Sequence, residues 1–502
     1  MEELKALQDR MAHITAVHQA TAVLGWDQQT YMPAGGGQAR ADQLEALSGI
    51  AHQLLTAPET ETLILKAEKI AGSLDPDSDE AAFVRVARRD YDQAAKLPES
   101  LVKELASVTT LAHEHWAAAR SQSNYAQFSP WLARIVELVR KVAEAIGYTD
   151  RPYDALLDQY EPGMKTADVE KMYQSIGPEI AALVRKIVDQ PGRSVTDLVM
   201  RRDFDTDKQR QFGEHVVHAL GFDFQRGRQD VAVHPFCTSF SHNDVRITTR
   251  YEKNWLPAAL FGSMHETGHA LYELGVADRY DRNILEGGTS LGVHESQSRL
   301  WENLVGRSRA FWKHYYGDLQ ALFPESLSDT DLDTFYRSIN AVSPSLIRVE
   351  ADEVTYNLHT LIRFEIENEL IEGRLSVNDA PETWNNLYEK YLGIRPPDDA
   401  HGILQDVHWS GGGIGYFPTY TIGNILSVQW YREAEKSLGV SFADQIEQGD
   451  FEGLRSWLTE NIYQWGRKYE PADLVKRVTG RSMDTAPYLD YLTKKYTAIY
   501  DL

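Results

Sequence analysis

Apolar residues recur every three or four positions along most of this chain, and that rhythm commits it to a helical fold. From Ala133 to Ile146 it places Ile135, Val136, Leu138, Val139, Val142 and Ala143 on one face. The stretches 326–339, 354–372 and 451–465 repeat the pattern. It breaks at clusters of turn-forming residues: MPAGGG (32–37), DPDSD (75–79), EPG (161–163), RPP (395–397) and SGGGIG (410–415). One stretch differs. Residues 230–251, DVAVHPFCTSFSHNDVRITTRY, carry β-branched and aromatic residues in short runs with SHND as a turn. They predict a small β-hairpin just before the next helix. No repeat, low-complexity linker or charge block divides the chain. The expectation is a mainly α protein, residues 1–502 forming a single domain whose lobes, if it has two, are interwoven.

The 502 residues are 42% hydrophobic, enough for a sizeable core, and the formal net charge is −23. So acidic a surface repels nucleic acid and anionic membranes, which excludes both as expected partners. A site for an anionic ligand must then carry its own cations. The lone cysteine, Cys237, has no intrachain partner, which fits a reducing compartment. The first residues, MEELKALQDRMAHITAVHQ, lack the apolar core of a signal peptide, and no stretch approaches the roughly 18 apolar residues of a membrane span. A cytoplasmic location is expected.

Within FGSMHETGHALYELG (261–275), otherwise the pattern of a buried helix, His265 and His269 stand four apart with Glu266 between them. Residues four apart share a helical face, so the imidazoles can grip one ion while Glu266 projects alongside. Gly268 costs a helix roughly 1 kcal/mol against alanine, and a crowding chain segment or tight helix packing would explain it. A catalytic metal needs a third ligand. Glu273, Glu286, Glu295 and Glu302 follow; Glu273 lies a turn past His269 on the same helix and should point away. Glu295 opens the next helical run, HESQSRLWENLVG, which could return antiparallel, and is the expected ligand.

Five further motifs stand around HETGH in order: HPF (234–236), D-x-R-x-T (244–248), HESQ (294–297), I-R-x-x-A-D (347–352) and G-x-x-Q-D-x-H-W (402–409), with WDQQTYMP (26–33) near the start. With them the chain resembles the carboxypeptidase Taq family of zinc metallocarboxypeptidases. The resemblance implies zinc, or cobalt in its place, on His265, His269 and Glu295, with Glu266 as general base. It implies a nearly all-helical fold related to neurolysin and angiotensin-converting enzyme, a deep groove floored by the metal, a homodimer, and release of single C-terminal residues other than proline from peptides with a free C-terminus.

Such a reaction needs a planar cation for the substrate's terminal carboxylate. Arg348 and Arg246 are candidates; the resemblance favours Arg348, with Arg246 closing the groove behind it. His408 and Tyr420 are candidate donors to the developing oxyanion, and His234, from the hairpin, is a further candidate to line the site. The glycine run 411–415 lacks the Lys-Ser/Thr of a phosphate loop and argues against nucleotide binding. Asp352 and Asp406 are candidates to orient the ligand histidines. Two rival readings share the motif: an endo-oligopeptidase without the carboxylate clamp, and a binding protein with a structural metal. The second is weakened because structural zinc takes four closed ligands, often cysteines.

Overall fold

A computed structural model of the chain describes residues 2–190 and 195–502. Helices dominate, and among the described residues there is a single three-stranded sheet. The chain forms two compact units, each gathered from three segments. The first comprises Met1–Ala95, Asp197–Ile339 and Ser427–Ser482; the second, Lys96–Thr196, Asn340–Leu426 and Met483–Leu502. The segments alternate along the sequence, which is the interweaving expected above.

In the first unit, helix Glu2–Thr30 sets Leu4, Leu7, Met11 and Ile14 into a core with Ile64, Phe83 and Ala87. The same core takes Val276, Ile284 and Leu285 from the connection after the HETGH helix. Strands β1 (Gly227–Val231), β2 (Cys237–Ser241) and β3 (Asp244–Thr249) form the sheet with β3 central. β2 and β3 are the expected hairpin, antiparallel, with His242 and Asn243 at its turn. β1, parallel to β3, was not expected as a strand. Its sequence, GRQDV, lacks the apolar alternation that would announce one. Val245 and Ile247 of β3 pack on Ala270 and Leu274 of the HETGH helix, with Val217 and Phe222 beside them.

That helix runs Leu256–Leu274, with Pro257 in its first turn. Leu260, Phe261, Met264, Ala270, Leu271 and Tyr272 are all buried, as a helix apolar on nearly every face requires. A Cβ on Gly268 would stand 2.5 Å from the Gln297 carbonyl oxygen and 2.6 Å from Ser298 Cα. Helix packing therefore explains the glycine: it lets helix Leu291–Arg299 come backbone-close two residues beyond Glu295. Ser290 caps that helix, accepting the Val293 N–H at 3.1 Å, and a π-helical segment, Leu300–Gly306, continues it. π turns are rare and gather at functional sites.

The periodic run 326–339 is not one helix but two, Pro324–Leu327 and Leu332–Ile339. Between them Tyr316 Oη and Gln320 Nε2 donate to the Thr330 carbonyl, and Asp331 accepts the Thr334 N–H at 2.8 Å. Side chains of Tyr316, Gln320 and Asp331 thus take backbone groups that a continuous helix would use. In the second unit, helix Tyr356–Glu372 is buried on almost all faces, and helix Ser129–Ile146 turns the predicted stripe, Ile135 to Ala143, inward.

Candidate active site

His265 Nε2 and His269 Nε2 lie 3.6 and 3.3 Å from Glu295 Oε2. One ligand atom from each of the three lies within 4.8 Å of the other two. The antiparallel return expected of the 291–299 helix is what delivers the carboxylate.

The remaining ring nitrogens are fixed by acceptors. His265 Nδ1 is 2.9 Å from Glu302 Oε2. An ionised carboxylate only accepts, so His265 carries its proton on Nδ1 and presents a lone pair at Nε2. His269 Nδ1 is 2.6 Å from His294 Nδ1, and His294 Nε2 is 2.7 Å from Glu273 Oε1. Glu273 accepts a hydrogen bond from His294 Nε2–H, His294 Nδ1 accepts one from His269 Nδ1–H, and His269 Nε2 is again left with its lone pair. Both imidazoles thus offer Nε2 to the same point beside a carboxylate oxygen. That donor set, two imidazoles and one carboxylate, fits a catalytic zinc or cobalt ion.

Burial would lower His265, but the charge of Glu295 and the hydrogen bond to Glu302 raise it; the other groups agree with the donor set. Burial lowers His269 to about 4, outweighing the neighbouring Glu295 carboxylate, and keeps it neutral. Burial acts to raise Glu295, but Arg299 and His265 hold it well below the usual carboxylate range. Glu302, likewise buried, is brought down to about 2 by Arg299, His265 and Arg307. Arg299 ties the two carboxylates together, with Nε 2.6 Å from Glu295 Oε1 and Nη1 3.2 Å from Glu302 Oε2. Glu266 behaves differently. Burial, with the charges of Glu295 and Glu302, pushes it up to about 7 although His265 opposes. A carboxyl poised there exchanges protons near neutrality.

Asp352 and Asp406 do not orient these histidines. Asp352 accepts the backbone N–H groups of Ser343, Val354 and Thr355, and Asp406 is held by two arginines. The orienting groups are Glu302 and the His294–Glu273 pair. Sequence reading weighed Glu302 only as a ligand and set Glu273 aside. The nearest signal was His294, directly before Glu295.

In the second unit, Arg348 is buried and directs Nε and Nη2 to Asp406 Oδ1 at 3.1 and 2.8 Å, and Nη1 to Tyr356 Oη at 2.7 Å. Arg363 Nε donates to Asp406 Oδ2 at 2.6 Å. The Arg348 guanidinium lies 5.0 Å from the Tyr420 ring, and His408 Nε2 is 3.3 Å from Tyr420 Oη. Burial, with Arg348 and Arg363, lowers His408 to about 4, so its ring is neutral. Three predicted residues, Arg348, His408 and Tyr420, are thus brought together. Arg246 belongs to the first unit, paired with Asp244 and held between Trp26 and Phe240, 4.2 and 4.7 Å from their rings. His234 is exposed in the β1–β2 connection. Beside it, Phe236 and Thr248 exchange hydrogen bonds of 2.9 Å, which join the HPF and D-x-R-x-T motifs.

The sequence profile of the carboxypeptidase Taq (M32) metallopeptidases matches residues 6–496. The chain is 41% identical to thermostable carboxypeptidase 1 of Thermus thermophilus, over 95% of each protein. To carboxypeptidase 1 of Bacillus subtilis it is 36% identical, covering 99% of this chain and 98% of that one. The M32 carboxypeptidase of Deinococcus radiodurans superposes with a TM-score of 0.96 at 39% identity, over the full length of both chains.

Proposed function

We propose that this chain, which belongs to the carboxypeptidase Taq (M32) metallopeptidase family, is a zinc-dependent carboxypeptidase releasing single C-terminal amino acids from peptides. The observation that carries the reading is the convergence of His265 Nε2, His269 Nε2 and Glu295 Oε2, with both Nδ1 atoms engaged elsewhere.

These three residues hold the metal in our reading. When bound, zinc, or cobalt in its place, supplies Lewis acidity toward a carbonyl and toward water. Glu266 is the general base: it takes a proton from the attacking water and returns it to the leaving amine, for which its position near neutrality suits it. No acyl-enzyme is required, and burial pushes the Cys237 thiol well up, which argues against a cysteine nucleophile.

Arg348 is the proposed partner of the substrate's terminal carboxylate, and Arg246 is assigned to substrate contact. Two guanidiniums on the single carboxylate of Asp406 leave a buried positive charge in an otherwise acidic protein, and that supports the assignment. His408, Tyr420 and His234 are assigned to substrate contact, the first two as donors to the oxyanion. The reading extends to residues 1–502 as one catalytic domain, broad specificity with proline excepted, and a cytoplasmic homodimer. Among the described residues no helix is long and apolar enough to cross a membrane.

The test pairs metal analysis with one peptide in free-acid and C-terminally amidated forms. Stoichiometric metal and cleavage of the free acid alone support the reading. Equal cleavage of both forms would assign the site to an endo-oligopeptidase.

A further inference from the structure

A second group of metal-ligand side chains sits at the β2–β3 turn. His242 is buried there, its Nδ1 2.8 Å from Glu286 Oε1, and the same oxygen accepts the His242 backbone N–H at 2.7 Å. One ligand atom from each of His242, Asp281 and Glu286 lies within 4.8 Å of the other two. On the other side of the ring, His242 Nε2 is 2.9 Å from Asn243 Nδ2 and 3.4 Å from the Asp278 carboxylate.

Two independent observations mark this cluster as built for a cation. The Glu286 side chain is only 8% exposed, and its second oxygen, Oε2, is buried without a hydrogen-bond donor among the described residues. A buried carboxylate oxygen is costly unless a donor or a cation meets it. Further, no lysine or arginine pairs with Asp278, Asp281 or Glu286 among the described residues; their only ionic partner is His242. Nearby Arg279 is spent on Asp79.

We propose that His242, through Nδ1, together with Asp281 and Glu286 binds a second divalent ion of the imidazole-and-carboxylate type, Zn²⁺ or Mn²⁺. The ion ties the hairpin turn to the loop that leads into helix Leu291–Arg299. On one side that loop is rooted in the core by Ile284 and Leu285. On the other, Gly287 lies against the Glu273 carboxylate, to which the Gly288 amide donates, and Glu273 holds His294 behind His269. The site is therefore structural, bracing the segment that supports the first metal site.

Zinc stoichiometry of the metal-stripped, full-length protein tests this, by equilibrium dialysis against micromolar free Zn²⁺. The wild type should hold two equivalents. His269→Ala and Asp281→Asn should each hold one, and the double variant none. Asp281 is exposed, so its substitution leaves the fold intact. Zn²⁺ should raise the Tm of His269→Ala and leave that of the double variant unchanged. One equivalent in the wild type, two in Asp281→Asn, or no Tm response in His269→Ala overturns the proposal and leaves the His242–Glu286 hydrogen bonds as the only tie between the turn and the loop among the described residues of this cluster. Because His269→Ala removes the first site, failure of that site is read separately.

Discussion

The two buried polar networks of this protein are inverses of each other. In the first unit acceptors converge: two imidazole lone pairs and a carboxylate oxygen point at one spot, and every proton on the histidines is directed outward to Glu302 or through His294 to Glu273. In the second unit donors converge: Arg348 and Arg363 close on the one carboxylate of Asp406. In the first, Arg299 holds Glu295 by Oε1 and leaves Oε2 facing the two imidazoles; in the second, two guanidiniums share one carboxylate. Neither would persist on packing grounds alone, because burying charge is costly unless it is matched. In our reading the first network takes a metal and the second an anion, in a chain of net charge −23. The sign is set by which side chains are already partnered, not by the charge of the whole.

Breaking the acceptor side should have the largest effect. His269→Ala should lose both stoichiometric metal and peptidase activity, followed by elemental analysis and a turnover assay; a variant that keeps its metal would remove His269 from the ligand set. Glu266→Gln keeps the shape and loses the basicity. It should bind metal normally while kcat falls by at least roughly 10²-fold. Near-normal turnover with normal metal would mean that another group activates the water.

The donor side breaks through stability as well as through activity. Asp406 is buried, yet Arg348 and Arg363 hold its carboxyl well below the usual range. A folded-state pKa below the unfolded value, about 3.9, gives stability that is complete above that pH and lost as pH falls below it. Asp406→Asn should therefore be destabilised at neutral pH by about 3–5 kcal/mol, the cost of breaking a buried pair, and should unfold with a shallower acid limb in urea titrations. A variant with wild-type stability at neutral pH would show that the pair contributes nothing.

Arg348→Ala should cost roughly 2–5 kcal/mol of transition-state binding for a free-acid peptide and little for its amide, and Arg348→Lys should remain impaired because it lacks the two-pronged geometry. Comparing kcat/KM for the two peptides sharpens the contrast: equal slowing of both would make Arg348 a support of the network, with the clamp sought at Arg246. The smallest effect is expected between the helices of the first unit. Gly268→Ala places a methyl group 2.5 Å from the Gln297 carbonyl, and overpacking of this kind costs about 1–3 kcal/mol. A lowered Tm and weakened metal binding are expected, and an unchanged Tm would show that the helices part without penalty.

The helical class, the β2–β3 hairpin and the shared face of His265 and His269 could all be read from the sequence, because each depends on local spacing. Apolar period fixes a helix, a polar turn between β-prone runs fixes a hairpin, and a four-residue interval puts His265 and His269 on one face. Strand β1 escaped because GRQDV pairs through its backbone with β3 and has no side-chain pattern of its own. The split of 326–339 escaped because Tyr316 and Gln320, distant in sequence, take the Thr330 carbonyl.

What only the tertiary structure decided is the set of partners. Glu302 rather than Asp352 or Asp406 holds His265, since a π-helical turn after Arg299 carries it there. Glu273, on the same helix as the ligands, reaches His269 only through His294 from the neighbouring helix. Gly268 is explained by a backbone thirty residues on, and the orphaned Glu286 oxygen at the hairpin turn by no local pattern at all. A sequence records which residues can donate, accept or carry charge. Which of them meet is settled when the chain packs, because hydrogen bonds and ion pairs depend on ångström-scale distances that spacing along the chain does not encode.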